Sequence, residues 1–415
     1  MRALAKISAT ALVGLLIGLS LRQPAAEAGV VSVLMEPDGT GVWRDLVASF
    51  ERRHPTLRVE FVEGPPATNT REDMYSTAFL AGRGGFDVVY SDVVWVPKFA
   101  AAGWLMDLTD RISADDREDF LPADVRGGTY QGRLYRIPAL TDAGLLYYRK
   151  DLISQPPTTF AELIRLARQH RDPRGWGFVW QGKQYEGLVT SFLEVLWGHG
   201  GEWINAETRS VHLDEPPAAA ALRFMVDLIG DISPPGVTTY TEEEGRAIFQ
   251  NGRSVFLRNW LYVWGLLDQD GAIGRHQVGF VPMVHLPGNA GATTLGGWGF
   301  AISRFSDDPA TAWQLVEFLT RPESLARVRD RMGRTSARRS QVPAELLPVL
   351  ENARPRPPIP EYAQASDILQ RALSAALTKR ISVEDALRDA AVDTRLLLRR
   401  GSRRSHMSGG SSAQP

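Results

Sequence analysis

The chain has 415 residues, enough for about two or three domains, and its 47 Lys and Arg against 48 Asp and Glu give a formal net charge of −1 at pH 7. This balance disfavours a nucleic-acid-binding protein, which needs a strongly positive surface. Because the sequence contains no Cys, it excludes a disulfide framework, a thiol nucleophile, a cysteine metal ligand and a lipidated cysteine anchor.

The amino-terminal stretch predicts a secretory signal peptide over residues 1–28. Arg2 and Lys6 precede an apolar run at 9–21, and an Ala-Glu-Ala cleavage site ends at Ala28. The run is shorter than the about 20 apolar residues that cross a bilayer, and no later stretch is both long enough and sufficiently uncharged. We therefore expect an exported protein that is free in the periplasm.

The segment after the signal alternates between predicted strands and helices. The strands are VVSVLM, TLRVEFVEG and FDVVYSD, and the helices are those around Trp43 to Phe50, TREDMYSTAFLAG and VPKFAAAG. This order is typical of a parallel, doubly wound α/β sheet. Ligands bind at the carboxyl ends of the strands in such sheets. Glu36, Asp38 and Asp92 lie at these ends.

A second unit is predicted from Gly144, where GLLYYRKDL indicates a strand. The later predicted elements are the helix PPTTFAELIRLARQH, a helix-rich region to about Leu267, the strands QVGFVPM and GGWGFAIS, the helix DDPATAWQLVEFLT and two closing helices. The last helix has a capping box at Ser382 and Asp385. Residues 401–415 are predicted to be a disordered tail, and the arginine run near it to be solvated.

Six stretches in a shared order resemble the extracellular solute-binding proteins of family 1, the sugar-capturing subunits of ABC importers, and in particular the trehalose- and maltose-binding branch of cyanobacterial type. The stretches are FERRHPTLRVEFVEG, FDVVYSDVVWVPKFAAAGWLMDL, GRLYRIPALTDAGLLYYRKDLI, AIFQNGRSVFLRNW, GGWGFAISRFSDDPATAWQLVEFLT and SVEDALRDA. The resemblance implies a two-lobe α/β fold of the Venus-flytrap type. Each lobe would be a mostly parallel sheet flanked by helices, with the solute in the cleft between them.

The resemblance also implies where the chain passes between the lobes. The implied crossings are near Pro138 to Asp142, Leu295 to Phe300 and Arg338 to Arg356. The implied segments are 29–139 and 299–340 for the N-terminal lobe, and 140–298 and 341–400 for the C-terminal lobe.

Aromatic residues are candidate sugar platforms, because a flat ring can cover the apolar face of a pyranose. Three of them stand in NWLYVWG, where spacing alone leaves a core role and a ligand-facing role open. On a helix, Trp260 and Trp264 would share one face. The resemblance implies that Trp260 and Tyr262 line the cleft and that Trp264 packs in the core.

The stretch LGGWGF is a second aromatic candidate. Its glycines, Gly297 among them, let the backbone approach a ligand closely. A phosphate-binding loop is the rival interpretation, but the chain has no G-x-x-x-x-G-K-[ST] motif. The resemblance implies that Trp298 stacks on the sugar, and a core position is the alternative.

Two Asp residues are candidate acceptors for sugar hydroxyls. The resemblance assigns this role to Asp92 and Asp142, whereas Asp is also common at helix caps and turns. Either Glu36 or Asp38 could supply a further carboxylate from the first loop.

Arg356, in ARPRPPIPEY, resembles the late arginine of the family that enters the cleft, and exposure on a Pro-rich connection is the alternative. Arg71 is a further candidate. In PALTDAGLL, Leu140 stands where trehalose- and maltose-type relatives often carry tyrosine, so the preferred sugar is expected to differ. Trehalose, maltose, sucrose and glucosylglycerol all remain open.

The rival function is a periplasmic glycosidase or lyase, which would also use paired carboxylates and tryptophans. The chain has no G-x-S-x-G or H-E-x-x-H motif, and its seven His are scattered. A binder of a polyamine, peptide or metal is a further alternative. We predict a monomeric sugar- or glucoside-binding protein that is not an enzyme, uses no cofactor or metal, and delivers its ligand to a membrane permease.

Overall fold

The computed structural model describes residues 29–82, 85–268 and 271–408, with the backbone alone for 402–408. The predicted signal peptide and residues 409–415 lie outside the described residues. No helix in these three ranges is long and apolar enough to cross a membrane.

The chain folds into a mixed α/β structure, as the sequence predicted. The strands of the described residues are β1 (Gly29–Met35), β2 (Leu57–Glu63), β3 (Val88–Asp92), β4 (Thr129–Tyr130), β5 (Arg133–Leu134), β6 (Ile137–Arg149), β7 (Trp176–Val179), β8 (Ser254–Trp260), β9 (Val278–Val281), β10 (Leu295–Ile302) and β11 (Thr335–Ser336). The α-helices of these ranges are α1 (Val42–Arg53), α2 (Thr68–Leu80), α3 (Val96–Ala101), α4 (Ala114–Asp119), α5 (Pro122–Gly127), α6 (Phe160–His170), α7 (Glu186–Gly198), α8 (Pro216–Leu228), α9 (Glu242–Gln250), α10 (Tyr262–Leu266), α11 (Pro309–Leu319), α12 (Pro322–Met332), α13 (Leu347–Glu351), α14 (Tyr362–Leu377) and α15 (Val383–Ser408).

The first three strands form a parallel block in the order β2-β1-β3. Val31 and Val33 of β1 pack with Trp43 and Phe50 of α1 in one hydrophobic cluster, which explains the apolar strand and the amphipathic helix seen in the sequence. β10 runs antiparallel along β3. The carboxyl ends of β1 and β3 therefore meet at one edge of the sheet, as predicted.

One long strand, β6, belongs to both halves of the nine-stranded sheet. Its residues up to Ala143 pair with β10, and its residues from Gly144 pair with β8. The sequence pattern predicts a strand that starts at Gly144, but the strand begins at Ile137. The start was predicted too late because IPALTDA is buried along its whole length and carries no period-two alternation.

The region predicted to be helix-rich contains two strands that the sequence analysis missed. β7 and β8 are parallel to each other, while β6 is antiparallel to both β8 and β9. Trp260 ends β8, and α10 begins only at Tyr262. The expectation that Trp260 and Trp264 share a helix face is therefore wrong. The short run SVFLRNW is almost entirely buried, and a short buried run does not distinguish a strand from a helix by its periodicity.

Two large hydrophobic clusters lie on either side of the Ala143–Gly144 junction. One draws residues from 31 to 140 and from 298 to 337, and the other draws residues from 146 to 398. We propose that these clusters are the cores of the N- and C-terminal lobes with the boundaries given above.

The closing helices α14 and α15 pack in the second cluster. Ser382 caps α15, since its Oγ accepts the N–H of Asp385 over 3.1 Å and donates to the Asp385 carboxylate over 2.7 Å; this is the side-chain half of the predicted capping box. α15 continues to Ser408, so the helical backbone extends into the segment predicted to be disordered from residue 401.

Candidate ligand-binding site

A cavity of about 750 Å³ lies where the ends of β1, β3 and β8 meet the middle of β6 and the start of β10. Its size suits a small organic ligand. All but one of the predicted site residues line it: Glu36, Arg71, Asp92, Asp142, Trp260, Tyr262, Gly297, Trp298 and Arg356. Within the described ranges, no group of three or more His, Asp or Glu side chains could hold a metal ion.

Asp38, the remaining predicted residue, is not among the lining residues. One of its carboxylate oxygens accepts the N–H of Thr40, and the other accepts the N–H of Trp43 in the first turn of α1, at 2.9 and 3.0 Å. Glu36 instead faces the cavity and accepts the hydroxyl of Tyr90 over 3.1 Å. Of the two acidic residues in this loop, Asp38 thus caps a helix and Glu36 lines the cavity.

Trp298 is 9% exposed and is held by other aromatic side chains. Tyr90 stacks on it with ring centroids 4.8 Å apart, and the guanidinium of Arg71 lies 4.8 Å from the ring centroid. Gly297 has φ 150°, and a β-carbon there would lie 2.8 Å from the buried Asp124 carboxylate. The glycine is therefore required beside Trp298 on steric grounds.

Trp260 is half-buried and keeps part of its ring at the cavity. Its Nε1 donates to Glu242 over 3.2 Å, and the guanidinium of Arg258 lies 4.6 Å from the ring centroid. A β-carbon at Gly296 would lie 2.9 Å from the Trp260 ring. The Arg258 side of the ring is closed to a ligand, because Arg258 is fully buried. A ligand can therefore contact only the part of the Trp260 ring that is exposed at the cavity.

Arg258 and Glu194 form a bidentate ion pair behind Trp260, with N–O distances of 2.8 and 2.6 Å and no exposed surface on either side chain. Glu194 also accepts the N–H of Thr294 over 3.2 Å. A β-carbon at Gly144 would collide with both charged groups. The absence of a side chain at Gly144 of β6 therefore makes room for the ion pair.

Tyr262 donates its hydroxyl to Glu243 over 2.6 Å. Arg334 lies over its ring at 4.9 Å. Trp264 does not line the cavity and packs edge-on against Phe280 with centroids 5.0 Å apart, in agreement with its expected packing role.

Asp142 has one carboxylate oxygen fixed by backbone and one directed toward Arg334. Its Oδ1 accepts the N–H groups of Ala143 and Leu261 at 2.9 and 2.7 Å, and its Oδ2 lies 3.6 Å from Arg334. Burial raises the pKa of Asp142 from 3.8 to about 6, against the opposing effect of Arg334. Only Oδ2 is thus free to accept a ligand hydroxyl.

Arg356 joins the two halves of the molecule. Its guanidinium donates to Asp92 over 3.1 Å and to Glu186 over 2.7 Å. Glu186 also accepts the hydroxyls of Tyr362 and Ser366. Asp92 ends β3 of the parallel block, and Glu186 begins α7, which packs in the second hydrophobic cluster. The two ion pairs that Arg356 forms with Asp92 and Glu186 therefore span the cavity.

Leu140, which departs from the family pattern, is buried in the first hydrophobic cluster and does not line the cavity. The expectation that its side chain influences the choice of ligand directly is therefore not supported by its position.

Several lining residues escaped the sequence analysis: Lys183, Tyr185, Glu186, Glu242, Glu243 and Arg334. Glu242 and Glu243 start α9, where the helix dipole alone favours acidic residues. Arg334 follows a helix C-terminus and has no sequence signal. These residues could be found only from the tertiary structure.

The cavity and the strand shared by two hydrophobic cores define a two-lobe solute-binding protein. Residues 36–326 match the family described as bacterial extracellular solute-binding protein, and the chain belongs to this family. The resemblance predicted from the sequence is thereby confirmed.

Three similar proteins illustrate the match. A probable ABC transporter-binding protein from Deinococcus radiodurans is 34% identical over 80% of this chain and 84% of its own length. The maltose-bound structure of T. maritima MalE3 is 38% identical, with a TM-score of 0.83, and covers 89% of this chain and 100% of its own. A ribitol-bound solute-binding protein from Agrobacterium radiobacter K84 is 26% identical, with a TM-score of 0.80, over 90% and 99% of the two chains. These neighbours confirm the predicted two-lobe α/β fold.

Proposed function

We propose that this chain captures a di- or oligosaccharide or a related glucoside in the cavity between its lobes and delivers it to the permease of an ABC importer. The observation that carries the proposal is the cavity itself, which is lined by the rings of Trp260, Tyr262 and Trp298 together with carboxylates and guanidinium groups. Rings match the apolar faces of a sugar, and charged acceptors and donors match its hydroxyls. The maltose bound by one relative supports this ligand class, and the ribitol bound by another is likewise a neutral solute with several hydroxyls.

The proposal describes a binding protein and not an enzyme. Asp92 is held by Arg356, Asp142 by two backbone N–H groups, and Glu36 by Tyr90. In each of the three, one carboxylate oxygen is fixed by these contacts and the other can accept a hydroxyl, an arrangement that suits hydrogen bonding to a sugar.

Calorimetric titration with maltose, trehalose, sucrose, glucosylglycerol and ribitol tests the function. At least one probe should bind saturably and, at about 100 times Kd, add about 2.7 kcal/mol to the free energy of unfolding. The same mixtures should contain no hydrolysis products after incubation. Absence of binding to all five probes, or release of product, would contradict the proposal.

We further propose that the protein is exported, with residues 1–28 removed, and acts as a periplasmic monomer. The charged and apolar pattern of that segment supports the proposal. Sequencing the amino terminus of protein recovered from the periplasm should give Gly29 as the first residue.

Glu36 and Asp38 provide a matched pair of variants. We expect Glu36→Gln to raise the Kd about fivefold, because a charged acceptor at the cavity becomes neutral at a cost of about 1 kcal/mol. Asp38→Ala should leave the Kd unchanged and lower the free energy of unfolding by about 1 kcal/mol, because α1 loses its cap. Calorimetry and urea unfolding of both variants measure this, and the reverse pattern would exchange the two roles.

We also expect binding to weaken as the pH falls below about 6, where Asp142 takes up a proton and loses its charge. Affinity should then fall by up to about tenfold per pH unit. Asp142→Asn should bind more weakly at pH 8 but should lack this pH dependence. Calorimetry between pH 5 and 8 gives the comparison, and an equally steep pH dependence in Asp142→Asn would contradict the assignment.

The titration of Asp142 itself does not favour unfolding as the pH falls. The pKa of Asp142 is raised in the folded state, so its contribution to stability is present at pH below 3.8 and is lost as the pH rises through about 6. The pKa of Asp124, which burial raises to about 7, has the same sign. Both groups therefore favour the folded state at the acidic end of the range.

A further inference from the structure

Arg334 enters the cavity from a turn that is fixed by a close backbone approach. Gly333 ends α12 in the left-handed region with φ 67°, and a β-carbon at Gly265 of α10 would collide with the backbone of Gly333. The turn is therefore seated directly on α10. This contact places the Arg334 guanidinium over the ring of Tyr262.

The guanidinium lies between two carboxylates without a hydrogen bond to either. Its nitrogens are 3.6 Å from Glu36 Oε2 and 3.6 Å from Asp142 Oδ2, which is beyond hydrogen-bond length. In the part of the chain that the structure describes, Arg334 forms no hydrogen bond, and 24% of its side chain is exposed. Its donors are thus held in the cavity with their bonding capacity unused.

A hydroxyl group on the cavity side can bridge each of these two pairs of charged groups. It can accept from the guanidinium and at the same time donate to the carboxylate, whereas a carboxylate or phosphate could only accept and would be repelled by both acidic groups. Because one guanidinium faces two carboxylates, it can form two such bridges, which match two hydroxyls at one edge of a sugar. The planar fork of arginine suits such paired contacts better than the point charge of lysine.

We propose that Arg334 is a specificity-determining residue that binds two neighbouring hydroxyls of the solute, one shared with Glu36 and the other with Asp142. This inference rests on the proposed sugar-binding function. It assigns a neutral, hydroxyl-bearing edge of the ligand to this side of the cavity, and it selects against ligands with an anionic group there.

Calorimetry with maltose and its monodeoxy analogues tests the proposal on the wild-type protein, Arg334→Ala and Arg334→Lys. Arg334→Ala should raise the Kd for maltose at least tenfold, and Arg334→Lys should recover only part of the loss. In the wild type, removal of either of two hydroxyls should weaken binding. In Arg334→Ala, the same two removals should cost at least threefold less, an effect that a merely structural role would not produce.

Arg331→Ala is the matched control, since Arg331 lies one turn earlier, pairs with Asp45 at the surface and does not line the cavity. It should bind maltose like the wild type. If Arg334→Ala binds maltose within twofold of the wild type, or if every deoxy analogue loses the same factor in both proteins, this inference is overturned while the proposed function stands. A wild-type protein that binds neither maltose nor any other sugar probe overturns both.

Discussion

Loss of either partner of the Arg258–Glu194 pair should lower the free energy of unfolding by about 3 to 5 kcal/mol. Both side chains are fully buried, so Arg258→Met leaves an uncompensated carboxylate and Glu194→Gln leaves an uncompensated guanidinium. Neither charge can reach water, because the network is enclosed behind Trp260. Urea unfolding of the two single variants gives the measurement.

The double variant Arg258→Met/Glu194→Gln separates charge burial from packing. It should be more stable than either single variant, since no isolated charge remains. Recovery should be incomplete, because the carbonyl oxygen of Gln181, which accepts from Arg258 over 3.1 Å, loses its charged donor. Additive losses in the double variant would show that the two residues contribute to stability independently.

The second large effect concerns affinity. If the solute covers about 60 Å² of the exposed Trp260 ring, Trp260→Ala should cost about 1.5 kcal/mol of binding, which is more than a tenfold rise in Kd. Its fold should be affected less, because the ring is only half-buried. Calorimetry with the best sugar probe and thermal unfolding of the same sample test both statements.

Variants of two other tryptophans, Trp264 and Trp298, provide comparisons. Trp264→Ala should leave the Kd unchanged, since this ring packs on Phe280 away from the cavity. Trp298→Ala should lower stability by about 3 to 5 kcal/mol as well as affinity, because Tyr90 and Trp95 hold its ring. A wild-type Kd in Trp260→Ala would remove it from the proposed binding surface.

The sequence predicted those parts of the structure that local pattern determines. β1 and β3 were predicted correctly as short apolar runs and β2 from the alternation of its apolar residues, because helices separate the three strands along the chain. Asp92 was placed at the cavity because it ends such a strand. β7 and β8 were missed because short buried runs between helices carry no strand periodicity.

The missed site residues depend on contacts between distant segments. Arg334 reaches the cavity only because Gly265 and Gly333 lack side chains and let α10 approach the turn after α12. Glu186 is oriented by Tyr362 and Ser366 from the other end of the chain. No local sequence pattern around Arg334 or Glu186 predicts these contacts. Arg356 lies in a Pro-rich segment with no regular periodicity, and it was predicted as a site residue from the family resemblance.

The position of β10 in the sheet has a consequence for the order of folding. Trp298 of β10 pairs with Asp92 on one side and Leu140 on the other, so the early strands stay incomplete until residue 302 has left the ribosome. Pairing across so long a loop has a large entropic cost and is slow to form. The amino-terminal half therefore cannot reach its final structure early in synthesis. Such a delay would suit the export proposed above, because a translocation channel admits an unfolded chain and would be blocked by a finished lobe.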